Sequence, residues 1–201
     1  MKQATGFPLV SLLILLLLAA CGPSTDSALE LLPEDSTYST PAGSGGSYKD
    51  PIHQFFQAQV PRTWSINVRL DKTESGLAPD GPGEGGVVRR SWIQFRPGDA
   101  EIQAIAREAH SGIEEDPGFA LQEFREQGAR ILSERSVTID GVEGREVLLS
   151  IRDTWHLNLE YEKNGLEHSL TLSCPSSELL TQLEDFVTFA RSYTSLQPGT
   201  S

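Results

Sequence analysis

Two alternating runs, Trp155 to Glu162 and Leu166 to Ser173, flank the dipeptide Asn164-Gly165. That dipeptide favours a two-residue hairpin turn, because both central positions take positive φ and glycine does so without steric cost. A two-residue turn fixes the register of everything around it. Lys163 falls opposite Leu166, Tyr161 opposite His168, Leu159 opposite Leu170 and Leu157 opposite Leu172. The other side pairs Asn158 with Thr171 and Glu160 with Ser169. A slip of one residue would turn every apolar side chain to the wrong face. The hairpin therefore needs a cover on one face and tolerates water on the other. The same register sets Cys174 across from Trp155, on the apolar side. Its one flaw is Glu162 opposite Glu167.

The cover follows directly. Leu179, Leu180, Leu183, Phe186, Val187, Ala190 and Tyr193 recur at helical spacing and form a broad apolar stripe. Ser176 or Ser177 is placed to cap this helix, and Glu178 suits its first turn. Gln197-Pro198-Gly199 ends the ordered chain. Upstream, Asp140-Gly141 is a second hairpin signal, between Ile131–Ile139 and Val142–Arg152. There the faces disagree. Val137 and Ile139 point away from Val147, Leu149 and Ile151, which calls for a β-bulge near Gly144.

The fold begins near Tyr48. Phe56, Ala58 and Val60 alternate with polar residues, and after Pro61-Arg62-Thr63 so do Trp64, Ile66, Val68 and Leu70. Val87 to Phe95 is a third strand, with Arg90 and Trp92 on one face; a cation–π contact is within reach, but the expectation is one solvated Arg and one partly buried Trp. Between them lies Asp71–Gly86, acidic and glycine-rich. No Lys-Ser/Thr follows its glycines, so it is not a phosphate cradle, and a disordered hairpin extension is expected. Ala100–Ala109 is ambiguous: Ile102, Ile105, Ala106 and Ala109 fit a helix, whereas Ile102, Ala104 and Ala106 fit a strand. Asp116-Pro117 is a good helix start, Phe119, Ala120 and Phe124 give that helix an inner stripe, and Gly128 ends it.

The amino-terminal segment carries an address. Lys2 precedes the apolar run through Val10-Ser11-Leu12-Leu13-Ile14-Leu15-Leu16-Leu17, which closes on Leu18-Ala19-Ala20-Cys21. A positive start, an apolar core and small residues before the cleavage point make a secretory signal. The ending resembles the lipobox of bacterial lipoproteins, whose Cys thiol forms a thioether to diacylglycerol. Residues 1–20 are then a signal peptide, Cys21 the lipidation site, 21–47 a flexible tether, 48–195 the folded domain and 196–201 a tail. The tether is rich in Pro, Ser, Thr and Gly and cannot bury enough to order itself. Gly22, in place of Asp, permits outer-membrane sorting in a Gram-negative host.

Bulk charge narrows the partners. The chain of 201 residues carries a formal charge of −12, and Lys2 is the only charge in the first twenty. Such acidity argues against nucleic acid, whose phosphates would repel it. It also argues against binding to anionic lipid heads, leaving the acyl chains on Cys21 as the membrane attachment. With two cysteines in all, acylation of Cys21 leaves Cys174 without an intrachain partner.

Three stretches in this order resemble the PsbP-like family, which includes many bacterial lipoproteins. They are Val60-Pro61-Arg62-Thr63-Trp64, the turn Ile139-Asp140-Gly141-Val142-Glu143-Gly144-Arg145, and the helix ending Phe189-Ala190-Arg191-Ser192-Tyr193. The resemblance covers about residues 48–195. It implies an α+β fold, an antiparallel sheet with helices packed on both faces, and it makes Ala100–Ala109 a strand. It also implies a binding or assembly factor without a shared catalytic centre.

Catalytic constellations are not evident. Of the four histidines, His53, His110, His156 and His168, none stands at i, i+4 from another or at zinc-ligand spacing from a Cys. His168 shares the apolar face with Tyr161 and reads as a satisfied histidine at the edge of a core. His156 lies on the polar face, across from Ser173, so it cannot meet Cys174 on the opposite face. No G-x-S-x-G nucleophile turn and no calcium-loop pattern occur. The expectation is therefore a non-enzymatic, membrane-tethered binding or assembly module on the extracytoplasmic side, without cofactor or metal, meeting an envelope protein. The alternatives are a small-ligand carrier with an apolar pocket under the last helix and, behind it, a hydrolase.

Overall fold

The structure is a computed structural model that describes residues 37–38, 46–69, 74–75, 87–108 and 124–198. Its strands are β1 (Thr37–Tyr38), β2 (Gly46–Lys49), β3 (Phe56–Val60), β4 (Ser65–Arg69), β5 (Glu74–Ser75), β6 (Val87–Val88), β7 (Arg90–Arg96) and β8 (Glu101–Glu108). The meander β9 (Arg130–Ile139), β10 (Val142–Ile151), β11 (Thr154–Lys163) and β12 (Leu166–Pro175) follows, then helix α1 (Leu179–Ser192) and β13 (Thr194–Ser195). One eight-stranded sheet runs β1-β9-β10-β11-β12-β8-β7-β4. A smaller sheet, β13-β3-β2, packs on the core, and β5, inside the expected 71–86 extension, pairs with β6 just after it.

The β11–β12 pairing follows the register set by Asn164-Gly165 at every position, from Lys163 opposite Leu166 to Trp155 opposite Cys174. Asn164 and Gly165 take φ of 58° and 71°, as a type I′ turn requires. Glu162 does meet Glu167, but Glu167 accepts a hydrogen bond from Arg107 on β8 at 2.5 Å, which offsets the repulsion. Helix α1 buries Leu179, Leu183, Phe186, Val187, Phe189 and Ala190, whereas Leu180 is exposed. Each of the buried Leu, Phe and Val side chains among these contributes about 1.5–3 kcal/mol when removed from water. Glu178 itself is the N-cap residue, with no side-chain bond to the helix, and its N–H donates to the Pro175 carbonyl instead of to a serine cap. Phe95 and Phe189 meet at 5.0 Å between centroids, and Phe56 stacks on Tyr193 at 4.7 Å, joining α1 to both sheets.

The expectation of an α+β sandwich with helices on both faces is not met. The described architecture is mostly antiparallel sheet, with α1 on one face. The physical reason lies in the other face. It carries Asn67, Gln94, Glu101, Gln103, Arg145, His156, Asn158, Glu160, Ser169 and Thr171, all in cross-strand register. Val147, Leu149, Ile131 and Ile151 give it an apolar patch where Phe124 and Ala129 pack, and Ile105 opposite Trp92 adds apolar surface farther along. A helix over the whole face would have to desolvate these polar groups. The helix expected from Asp116-Pro117 lies outside the described residues except for its last turn, Phe124–Glu126, which Gly128 ends at φ 83°.

Two further expectations are settled by register. Ala100–Ala109 is strand over Glu101–Glu108, with Ile102, Ala104 and Ala106 fully buried. The β9–β10 disagreement is also a feature of the fold, but its bulge lies elsewhere. The register shifts between Leu148 and Leu149, beside Leu132, and not at Gly144. Val137, Ile139 and Leu148 join the main core, while Val147 and Leu149 serve the patch on the opposite face. Gly144 answers a different need. A Cβ there would stand 2.6 Å from the Glu160 carbonyl oxygen and 2.8 Å from Ile139 Cδ1.

Candidate functional site

Cys21 lies outside the described residues, as does His110. The other histidines can be placed. His168 is buried and stacks on Tyr161 with ring centroids 4.8 Å apart. Its Nδ1 is 3.0 Å from the Tyr193 hydroxyl and its Nε2 2.9 Å from Ser195 Oγ. Burial, with a smaller contribution from Lys163, pulls its pKa down to about 4, so the ring is neutral at pH 7. Burial also keeps the Tyr193 phenol protonated. Tyr193 and Ser195 thus occupy both ring nitrogens, and Ser195 Oγ also reaches the Lys163 carbonyl at 3.4 Å. His168, Tyr193 and Ser195 are all buried, so the group ties β12 to the segment after α1 as a clasp.

The clasp extends to the turns. Asn164 Nδ2 donates to Ser195 Oγ at 3.2 Å, the Ser195 N–H donates to Asp140 at 2.8 Å, and Lys163 pairs with Asp140 at 2.9 Å. The two hairpin turns and β13 are thus tied at one end of the sheet. Cys174 is buried across from Trp155, and desolvation pushes its thiol up to about 11. His156 bonds Ser173 at 2.9 Å on the other face, as the alternation requires, and burial lowers its pKa. The space under α1 is filled by Leu157, Leu159, Leu170, Leu172, Leu183 and Phe186, each fully buried. His53 rests on Phe55 beside Asp50, a buried carboxylate that sequence reading passed over. Asp50 accepts from the N–H of Ile52 and Phe55 and from Ser91 Oγ at 2.6 Å. The Asp50-Pro51 step, an ordinary turn signal, was the available clue.

What remains is the polar face. Asn158 accepts from Ser169 at 3.0 Å and Thr171 at 2.9 Å and donates to Glu160 at 2.6 Å. Glu160 in turn pairs with Arg145 at 2.6 Å. Gln94 and Gln103 both donate to Glu101. Near the β4 edge Trp92 lies between two guanidinium groups, Arg69 at 4.6 Å and Arg90 at 4.9 Å from the ring centroid. Alternation placed Arg90 and Trp92 on one face, but the expected solvated Arg apart from the ring is instead in cation–π contact with it. Arg69 joins through its register with Trp92 across β4 and β7, which no local pattern reveals. The result is a flat, hydrogen-bonded surface with one aromatic flanked by cations. Among the described residues no group of three or more metal-binding side chains assembles.

A sheet with one face under a carboxy-terminal helix, a filled core and a hydrogen-bonded opposite face has a PsbP-like fold. The likeness is to the solution structure of the cyanobacterial PsbP of Synechocystis sp. PCC 6803, with a TM-score of 0.50 and 16% identity. It covers 78% of this chain and 98% of that one. At this identity the likeness speaks of fold alone. No family model matches the chain, and no curated protein does.

Proposed function

We propose that this protein is a lipid-anchored, non-enzymatic binding or assembly module that faces the periplasm or its equivalent and engages an envelope protein through the polar face of its sheet. The acyl chains on Cys21 attach it to the membrane, in the outer membrane of a Gram-negative host by the Gly22 criterion. The observation that carries the reading is Trp92 between Arg69 and Arg90. Trp and Arg dominate the energetics of protein interfaces, and on an acidic chain this spot offers cations to a partner of opposite charge. The filled core under α1 weighs against the ligand-carrier alternative, and the burial of both His168 and Ser195, away from any substrate, weighs against a hydrolase.

The anchor is tested by growing cells with a labelled fatty acid. Label is expected in the wild-type chain and absent from Cys21→Ser, which should leave the membrane fraction or stay unprocessed. Label retained in the variant would contradict the anchor.

A further inference from the structure

The main sheet ends on β4, and among the described residues no strand pairs with its outer edge. An edge strand points the N–H and C=O of every second residue away from the sheet, which makes it a template for another chain. The side chains of β4 indicate what kind of chain. Ile66 and Val68 stand opposite Phe95 and Ile93 on the core face. Phe95 and Ile93 are fully buried, but Ile66, with no strand beyond it, is 41% exposed. Among the described residues only Leu180 is a comparably exposed large apolar side chain. Ser65, Asn67 and Arg69 lie on the polar face, opposite Arg96, Gln94 and Trp92. Charge sets this corner apart. The chain holds 28 acids against 16 Lys and Arg, yet β4 and β7 together carry Arg69, Arg90 and Arg96 and no Asp or Glu. Arg96 meets Glu101 of β8 at 3.3 Å, and Arg62, in the turn before β4, adds an exposed cation.

We propose that the β4 edge accepts a strand from the partner, an extended segment in which acidic residues alternate with apolar ones. This rests on the reading of the polar face as the binding surface and specifies how the partner meets it. The backbone edge supplies ladder hydrogen bonds to any extended chain, and the side chains on either face select among them. On the polar face a carboxylate of the added strand comes opposite Arg69, beside the Trp92 ring that Arg69 and Arg90 flank. Opposite charges across strands stabilise the pairing, and the field of the three arginines draws an acidic segment to this corner. On the core face an apolar side chain covers Ile66. Side chains alternate between faces with a period of two, so one segment meets both demands. A second copy of β4 fits less well. Antiparallel pairing centred on Asn67 would set its Arg69 opposite Ser65, one strand from Arg96 on the same face. A lipid head or a nucleic acid would meet the arginines and leave Ile66 and the backbone edge bare.

The probe is a short end-blocked peptide of alternating glutamate and valine, titrated to millimolar concentration into the full chain in detergent and followed by NMR. The outward-pointing amides of β4 should exchange at least tenfold slower with the peptide bound, and the Trp92 indole signal should shift. Arg69→Glu, a change at an exposed position, should weaken binding at least tenfold, and the same peptide with lysine for glutamate should leave β4 unprotected. Amides of β11 and β12 serve as the folding control and should not change. A shift at Trp92 without protection of β4 would overturn strand addition and leave the polar face standing as the binding surface. No response at either place would overturn the proposal, as would binding that Arg69→Glu leaves unchanged. So would β4 protection that rises with protein concentration in the absence of peptide, which would put a second copy on the edge.

Discussion

At the scale of single residues, two buried groups report on the core. Cys174 sits across from Trp155 with its thiol pushed up to about 11, so little thiolate exists near neutrality. The folded domain should react slowly with a thiol reagent and accelerate sharply in denaturant. Fast labelling of the native protein would refute both the burial and the register. His168 makes stability depend on pH. Its folded pKa, about 4, is below the ordinary 6.5. Between those values the unfolded chain takes up a proton that the folded chain refuses, so stability is complete above pH 6.5 and falls as pH drops toward 4. The full loss is roughly 3 kcal/mol. Chemical denaturation at several pH values should show this slope in the wild type and a flatter one in His168→Gln. Parallel slopes would mean that His168 is protonated in the fold.

At the scale of elements, Gly144 marks how closely β10 crosses its neighbours. Gly144→Ala sets a methyl against a backbone oxygen and should cost about 1–3 kcal/mol, read as a lower denaturation midpoint. An unchanged midpoint would mean that the strands separate freely there. The same pair of strands shows what sequence conveys and what it withholds. The conflict between Val137 and Leu149 was legible, because alternation has a period of two and cannot hide it. The place of the bulge was not, since Leu132 and Gly144 both reconcile the faces and only Leu132 leaves the turn-proximal register intact. The β11–β12 hairpin was legible throughout because one dipeptide and one burial pattern agree. Ala100–Ala109 fits both periods, and only its neighbours β7 and β12 decide for strand. The serine cap failed for a local reason: Pro175 still pairs with Thr154 in β12, so the helix starts later, at Leu179.

At the scale of the whole molecule, the sheet divides the protein into a face that folds it and a face free of that duty. Binary pattern alone separated the two, with Leu157, Leu159, Leu170 and Leu172 under α1 and Asn158, Glu160, Ser169 and Thr171 opposite. Pattern did not bring Arg69 to Trp92, because that contact joins β4 to β7 across the residue 71–86 segment. Nor could the resemblance decide how much of the polar face a helix covers, which depends on the polar groups of five or more strands at once. The proposed function turns on that face. Photo-crosslinking side chains placed at Asn67 and Gln103 on the polar face, and at Glu184 on the exposed side of α1, can be activated in the anchored protein within its own envelope. Discrete crosslinks to one partner protein from Asn67 and Gln103, lost on Trp92→Ala and absent from Glu184, are expected. Crosslinks from Glu184 alone would contradict the assignment of the polar face as the binding surface, and crosslinks from Asn67 and Gln103 that survive Trp92→Ala would contradict the role given to Trp92.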